Sequence, residues 1–290
     1  MLYSGNDLRK LMIPLIIEQI LAIAVGMADT IRVSAAGEAA VSGVSLVDTV
    51  NILLINVFSA LATGGAVVSG HFLGKKKRED ACKSAWQILL FATLLAFVIS
   101  VIFITAHDPL LRLMFGKIED DVMKASKTYL IITTYSFVAL AIYNSCAALF
   151  RAMNESKVTM WVSLLMNVIN VVGNAICIYG LHMGVAGVAI PTTISRYVAA
   201  VVIFLLMFQP KKEINLCGQI TWKFNGSLIK KILYIAIPNG LENSMFQLGK
   251  ILVMSAVATM GTSAIAANAV TGTIANWNNL PGFAINLAIV

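Results

Sequence analysis

Charged side chains interrupt a long apolar stretch near the start of the chain. The run LMIPLIIEQILAIAVGMADTIRVS contains Glu18, Asp29 and Arg32 and no other charge. On an ideal helix, Asp29 lies about 20° and Arg32 about 40° from Glu18 in projection. Because a charge at the centre of a bilayer costs at least about 2.5 kcal/mol, this stripe should face a protein interior or a wet cavity. Asp29 there is either a site for a cation or a proton, or the partner of Arg32 in an i, i+3 ion pair.

Three amide side chains form a second polar stripe. Asn167, Asn170 and Asn174 follow the spacing i, i+3 and i+7, which places them on one helical face. Their carbonyl oxygens suit a hard cation such as sodium, and the amides equally suit hydrogen bonds between helices. The stripe is therefore either part of a cation site or a structural network.

Further polar residues lie within apolar runs. Glu242 is predicted to lie about 15 Å into its helix, near the midplane, where a charge is costly; one interpretation is a protonated side chain packed in a crevice. Asp48 and Asn51 share a helical face; Asp48 either borders a substrate cavity or is solvated near the start of its helix. The candidates for lining a substrate cavity are Glu18, Asp48, Asn51, Tyr135 and Tyr143, although tyrosines at helical spacing more often serve ordinary packing.

The composition places these residues in a membrane protein. Hydrophobic residues make up 59% of the 290 residues and charged residues only 12%, which lies outside the range of soluble domains. Apolar runs of about 20 residues or more, long enough to cross roughly 30 Å of hydrocarbon, recur along the chain. We therefore predict an all-α integral membrane protein, a polytopic helical bundle with seven complete runs and the start of an eighth. The approximate spans are residues 11–33, 42–70, 85–106, 128–150, 159–181, 185–208, 232–258 and 263–290.

The distribution of basic residues predicts the orientation. The N-terminus and every second loop after it hold 14 of the 21 Lys and Arg residues. Because cytoplasmic loops accumulate these residues, we predict a multi-pass protein of the inner (plasma) membrane with a cytoplasmic N-terminus. The net charge of +7 then reflects orientation and not nucleic-acid binding. The sequence shows no metal-ligand spacing, no nucleophile with a base and no phosphate-binding glycine loop, so we do not expect an enzyme.

The chain also contains an internal repeat. Two segments align without gaps at a constant offset of 224 residues, which pairs Glu18 with Glu242 and Gly37 with Gly261. Six predicted helices separate the starts of the two segments, so the repeats are parallel, an arrangement known in transporters.

This repeat predicts the domain organisation. We expect a complete six-helix lobe at residues 1–208, a cytoplasmic linker at 209–231 and the start of a second lobe at 232–290. The second unit stops within its own second helix. We therefore expect a truncated form of a twelve-helix architecture.

Several ordered motifs carry a resemblance to a known family. They are PLIIEQ, GMADT, GEAAVSGVSLVD, SALATGGAVVSGHFLG, RAMNESK, SLLMNVINVVGNAICIYGL and GVAGVAIPTTISR. Together they resemble the multidrug and toxic compound extrusion (MATE) family, especially its bacterial, clostridial-type members. The resemblance implies two pseudo-symmetric lobes and sodium- or proton-driven export of organic cations by antiport. It implies contact with membrane lipid and no cofactor beyond Na⁺ or H⁺. We also expect a monomer.

The resemblance also assigns roles to individual residues. Asp29 matches the acidic residue that the family uses to bind the coupling cation or proton in the first lobe. Asn170, Asn174 and Thr192 match polar residues around it, and Asn174 stands where some branches of the family have an acidic residue. Glu242 matches the glutamate of helix seven that is implicated in cation binding in the second lobe.

Two alternatives and one departure accompany this interpretation. A flippase for lipid-linked oligosaccharides, from the same superfamily, should have a more basic cavity than these stripes provide. A non-transporting remnant is the second alternative, because a central cavity cannot close without the rest of the second lobe. Arg32 departs from the resemblance, which implies an apolar residue at that position.

Overall fold

The computed structural model describes residues 13–21, 23–24, 33, 37–116, 118–217 and 221–289. The regular elements in these ranges are helices, which confirms the all-α prediction for this part of the chain. The first, α1, includes residues 13–21 and 23–24. The others are α2 (Glu38–Gly74), α3 (Arg78–Thr105), α4 (His107–Phe115), α5 (Asp120–Thr134), α6 (Phe137–Ala152), α7 (Ser156–Ala175), α8 (Ala186–Leu206), α9 (Gly226–Ala258) and α10 (Thr262–Ile289). A π-helical turn at Ile176–Gly180 extends α7.

Several of these helices are long and apolar enough to cross a membrane. Four qualify in the described residues: α2, α3, α8, and α7 with its π-helical extension. The bent pair of α5 and α6 forms a fifth span if it is counted as one. Neither α9 nor α10 meets the same limits, in contrast to the spans expected at 232–258 and 263–290. Charged and amide side chains, including Glu242, Lys250 and Asn268, lower the apolarity of these two helices.

The fourth predicted helix is broken in two. α5 and α6 meet at an angle of 52° around Tyr135 and Ser136. The hydroxyls of Thr133 and Thr134 each donate to the carbonyl four residues earlier, at 2.8 and 2.7 Å, and Ser136 Oγ donates to the Thr133 carbonyl at 2.6 Å. Such bonds from hydroxyls to carbonyls of the same helix bend helices. The local sequence TTYS therefore accounts for the bend.

α2 is the central helix of the bundle. It packs against α3, α5, α6, α9 and α10. In its second half, a Cβ atom on Gly64 would lie 2.7 Å from the Ile232 carbonyl oxygen, so only glycine permits this approach of α2 to α9. Near its start, Ser42 Oγ donates to the Thr262 carbonyl at 3.0 Å. α9 and α10 thus contact α2 at two separate levels along its length.

The turns that precede α2 and α10 have the same conformation. Gly37 and Gly261 have φ angles of 100° and 101°, in a region that is open to glycine and strained for other residues. Their carbonyls accept hydrogen bonds from the amides of Val41 and Ile265, at 3.2 and 3.3 Å. The sequence pairing of Gly37 with Gly261 therefore has a counterpart in local structure.

The linker between α8 and α9 lies against the start of α3. Arg78 donates to three linker carbonyls, at 2.6, 2.9 and 3.1 Å. Further along, Trp86 Nε1 donates to the Thr221 carbonyl at 2.7 Å. α9 begins at Gly226, six residues before the expected boundary, and the lobe assignment itself stays a prediction.

Candidate functional site

A chain of hydrogen-bonded polar side chains joins α7 to α8. Asn174 Nδ2 donates to Asn170 Oδ1 at 3.1 Å, and Asn170 Nδ2 donates to Thr192 Oγ1 at 2.8 Å. The amides can bond to each other because they lie one turn apart on the same face of α7. Gly173 lets the two helices approach, since a Cβ atom there would lie 2.7 Å from Pro191 Cβ. The structure thus brings together three of the four residues proposed for the first-lobe site.

The fourth residue, Asp29, lies outside the described residues, as does Arg32. The roles of both stay predictions. Asn170 and Asn174 are buried, with exposures of 5% and 0%, and Thr192 is half-buried. Amide and hydroxyl oxygens of this kind are ligands for hard cations and also form stable hydrogen bonds without an ion.

Asp48 belongs to a second polar cluster, between α2 and α5. Its Oδ1 accepts hydrogen bonds from the Tyr129 hydroxyl at 3.0 Å and from Asn51 Nδ2 at 3.3 Å. Tyr129 and Asn51 are buried and Asp48 is half-buried. Asp48 therefore has polar partners within the bundle, and solvation at the start of α2 is not needed to accommodate its charge.

A cation from α8 complements this carboxylate. Arg196 is half-buried and lies close enough to interact electrostatically with Asp48 and Tyr129. Its guanidinium donates to Ser136 Oγ at 2.9 Å, at the bend between α5 and α6. A carboxylate within a membrane bundle is retained most easily beside such a cation and its hydrogen-bond donors.

The two clusters are carried by one face of α8. Thr192 and Arg196 are one helical turn apart, so the amide chain and the Asp48 cluster are neighbours along that face. Thr193 Oγ1 bonds to the Ile132 carbonyl at 3.0 Å and joins α8 to α5 beside them. The result is a polar track inside a bundle of apolar helices.

Tyr129 and Ser136 were not identified from the sequence. The contact of Tyr129 with Asp48 joins residues 81 positions apart in the sequence, and the contact of Ser136 with Arg196 joins residues 60 positions apart. Neither residue shows a local pattern that sets it apart from other hydroxyls in apolar runs. The sequence signal for Tyr129 was Asp48, a carboxylate that required a partner.

Glu18 and Tyr143 lie in a third, buried cluster. Thr159 Oγ1 donates to Glu18 Oε2 at 3.3 Å. Arg151 lies close enough to interact electrostatically with Glu18. Tyr143 lies near Ser163 and Glu18. These contacts join α1 to α6 and α7, and a role for the cluster in a substrate cavity stays a prediction.

The remaining candidates are exposed. Tyr135 is 55% exposed at the bend, and its carbonyl accepts a hydrogen bond from the Tyr197 hydroxyl at 2.8 Å. Glu242 is exposed near the middle of α9. Eight residues further on, the Lys250 ammonium lies 4.9 Å from the centre of the Phe246 ring. The proposed role of Glu242 therefore stays a prediction.

Comparisons with known proteins identify the family. The sequence profile of the MatE family matches residues 14–176, which is more than half of the chain. The chain is 28% identical over 278 residues to a Bacillus subtilis (strain 168) protein described as uncharacterized transporter YisQ, and covers 60% of that protein with 94% of its own length. It is 25% identical over 288 residues to a probable multidrug resistance protein NorM of Thermotoga maritima, and this match covers 98% of the chain and 61% of that protein.

A solved structure shows the same fold. The MATE multidrug transporter DinF-BH, solved in complex with a small organic compound, superposes with a TM-score of 0.89 at 23% identity; the match covers 99% of this chain and 64% of the other. The chain thus spans about 60% of the length of the curated relatives it matches. The profile match and the shared fold agree with the resemblance carried by the sequence motifs. The chain therefore belongs to the MATE family, whose members are multi-pass membrane transporters and not enzymes.

Proposed function

We propose that the chain forms the first lobe, and the first helices of the second lobe, of a cation-coupled antiporter that exports small organic cations. The observation that carries this proposal is the buried chain of Asn174, Asn170 and Thr192 inside a MATE fold. Multidrug resistance proteins among the relatives, and the transporter DinF-BH solved with a small organic compound, support such compounds as the transported class.

The coupling ion in this proposal is Na⁺ or H⁺, with no other cofactor. Asp29 supplies the carboxylate, and Asn170, Asn174 and Thr192 supply neutral oxygens or hydrogen bonds around it. An ion that enters such a site replaces interactions that the polar groups otherwise make with one another. Binding is therefore expected to change the packing of α7 against α8, the two helices that the amide chain joins.

Transport follows from alternating access between the lobes. α2 contacts α9 and α10 at two levels, at Ser42 with Thr262 near its start and at Gly64 with Ile232 in its second half. Opening a central cavity to one side requires the contacts toward that side to separate. The ion and the substrate must favour different states, because a ligand with equal affinity for both shifts no equilibrium.

The proposed placement is a monomer in the plasma membrane with its N-terminus in the cytoplasm. The turn from α2 to α3 carries Lys75, Lys76 and Lys77, and Arg78 at the start of α3 holds the basic inter-lobe linker. These basic segments therefore lie at one end of the bundle, as expected for a cytoplasmic face.

A pair of adjacent threonines provides the test. In Thr192→Val the hydroxyl that accepts from Asn170 is lost, whereas in Thr193→Val a hydroxyl that bonds to the Ile132 carbonyl is lost. The purified protein is unfolded thermally in detergent, with sodium exchanged for choline at constant ionic strength and at several pH values. A ligand at ten times its Kd stabilises the folded state by about 1.4 kcal/mol.

We expect stabilisation by sodium, or by protons, in the wild type and in Thr193→Val, and its loss in Thr192→Val. Dependence on sodium would assign Na⁺ as the coupling ion, and dependence on pH alone would assign H⁺. Stabilisation by neither ion, or equal loss in the two variants, would contradict the proposed site.

A further inference from the structure

A cavity outside the polar track lies where the inter-lobe linker meets α3. Its volume is about 440 Å³, and its walls come from α3, the linker and the start of α9. Lys83, Trp86 and Gln87 line it from α3, and Lys223 and Phe224 line it from the linker. Its lining thus includes two lysines and two aromatic residues.

Hydrogen bonds hold the walls of this cavity in place. Gln87 is 5% exposed. Its Nε2 donates to the Lys223 carbonyl at 2.9 Å, and its Oε1 accepts from the backbone N–H of Asn225 at 2.9 Å. The Trp86 indole donates to the Thr221 carbonyl at 2.7 Å. The cavity is therefore a structured pocket and not a gap beside a loosely attached loop.

The charge around the cavity is mainly positive. Lys83 forms an ion pair with Glu79 at 2.6 Å, and Asp80 is a further acidic neighbour of this ammonium. The Lys223 ammonium has no ion-pair partner among the described residues. Lys230 and Lys231 follow in the first turns of α9, and the N-terminus of that helix adds partial positive charge.

The cavity lies at the end of an exposed apolar stripe of α3. Leu94, Phe97 and Val101 are exposed apolar residues, with exposures of 48%, 57% and 45%. On an ideal helix they lie within about 40° of Lys83, and Val101 is about 27 Å from it along the axis. An acyl chain along this stripe would bring its headgroup to the cavity. Trp222, which is 82% exposed next to Lys223, is typical of the membrane interface.

We propose that this cavity binds the phosphate-bearing headgroup of an anionic phospholipid, with Lys223 as its main cation and Trp86 and Phe224 beside the glycerol region. Basic pockets next to membrane helices on the cytoplasmic side are suited to such headgroups. The assignment of this face to the cytoplasm rests on the placement proposed above. A lipid bound here contacts α3 and the linker together and holds the start of α9 against the first lobe.

The test compares lipids and two matched lysine variants. The purified protein is titrated in detergent with short-chain phosphatidylglycerol, phosphatidylcholine or inorganic phosphate, and the thermal unfolding midpoint is followed. Lys223→Gln removes the cavity cation. Lys157→Gln removes an exposed lysine at the start of α7, on the same proposed face of the membrane and outside the cavity.

We expect phosphatidylglycerol alone to raise the midpoint of the wild type. Lys223→Gln should weaken this effect about fivefold in concentration, as expected for one lysine at an anionic surface, and Lys157→Gln should not. An equal effect of phosphatidylcholine, or of free phosphate, would overturn the assignment to an anionic lipid. Equal weakening in the two variants would overturn the assignment to this cavity, because it would indicate diffuse surface charge. Lys223 is exposed, so Lys223→Gln is not expected to disturb folding.

Discussion

We expect the hydrogen bond between Tyr129 and Asp48 to make a measurable contribution to stability. Tyr129→Phe removes the hydroxyl that lies 3.0 Å from Asp48 Oδ1 and keeps the buried ring. Hydrogen bonds between membrane helices contribute about 0.6 kcal/mol on average and at most about 1.7 kcal/mol. Bonds to a charged acceptor fall at the upper end of such ranges. We therefore expect a coupling energy of about 1.5 kcal/mol between Tyr129 and Asp48.

A double-mutant cycle isolates this value from the other effects of each single substitution. The free energy of unfolding is measured in mixed micelles for the wild type, Tyr129→Phe, Asp48→Ala and the double variant, because Asp48→Ala removes the acceptor as well as the charge. Tyr197→Phe is the control, because its hydroxyl bonds to the Tyr135 carbonyl at an exposed position. Additive effects of Tyr129→Phe and Asp48→Ala, with a coupling energy near zero, would refute the contribution assigned to this contact.

Three further predictions follow from the contacts of other residues. Gly64→Ala should destabilise the protein by about 1–3 kcal/mol through overpacking, because the added Cβ would lie 2.7 Å from the Ile232 carbonyl oxygen. Gly70→Ala is the control and should not destabilise the protein, because the nearest neighbour of its added Cβ is 4.0 Å away. Equal thermal unfolding midpoints of the two variants would contradict this prediction. The Lys127 ammonium lies 2.6 Å from the Asp108 carboxylate and lowers the pKa of that carboxyl. The stabilisation by this ion pair is therefore fully present above the unfolded-state pKa of Asp108, and it is lost as the pH falls through the folded-state pKa. Lys127→Gln should raise the pKa of Asp108 in a ¹³C-detected titration, and an unchanged pKa would contradict this ion pair. Arg78→Lys should increase hydrogen exchange and proteolysis at residues 209–217, since one ammonium cannot replace a guanidinium that bonds to three carbonyls; the same increase in Lys75→Gln would indicate a general charge effect.

Helices α2 and α8 were predictable because each depends on a local property, the length of an apolar run, whereas α4 lies outside the predicted spans. The run at 42–70 corresponds to Glu38–Gly74, and the run at 185–208 corresponds to Ala186–Leu206. The equivalence of Gly37 and Gly261 was also predictable, because the same backbone requirement recurs in both repeats. The placement of Asn170 and Asn174 on one helical face followed from helical spacing alone, and the structure adds the hydrogen bond between them.

Other features depend on contacts that no local pattern encodes. The bend at Tyr135 and Ser136 results from competition between hydroxyls and the helix's own carbonyls, in a run whose hydropathy is that of one continuous helix. The bond from Tyr129 to Asp48 depends on how α5 packs against α2. Helix periodicity gives the face on which Asp48 lies and does not give the side chain that it meets.

The central claim is that ion binding in the first lobe drives export of an organic cation. The most direct measurement is uptake of a fluorescent organic cation into inverted membrane vesicles that contain the protein, with an imposed sodium or proton gradient, for the wild type and Asp29→Asn. We predict uptake that depends on one of the two gradients and is lost in Asp29→Asn. Uptake that responds to neither gradient, or that is unchanged in Asp29→Asn, would contradict the account.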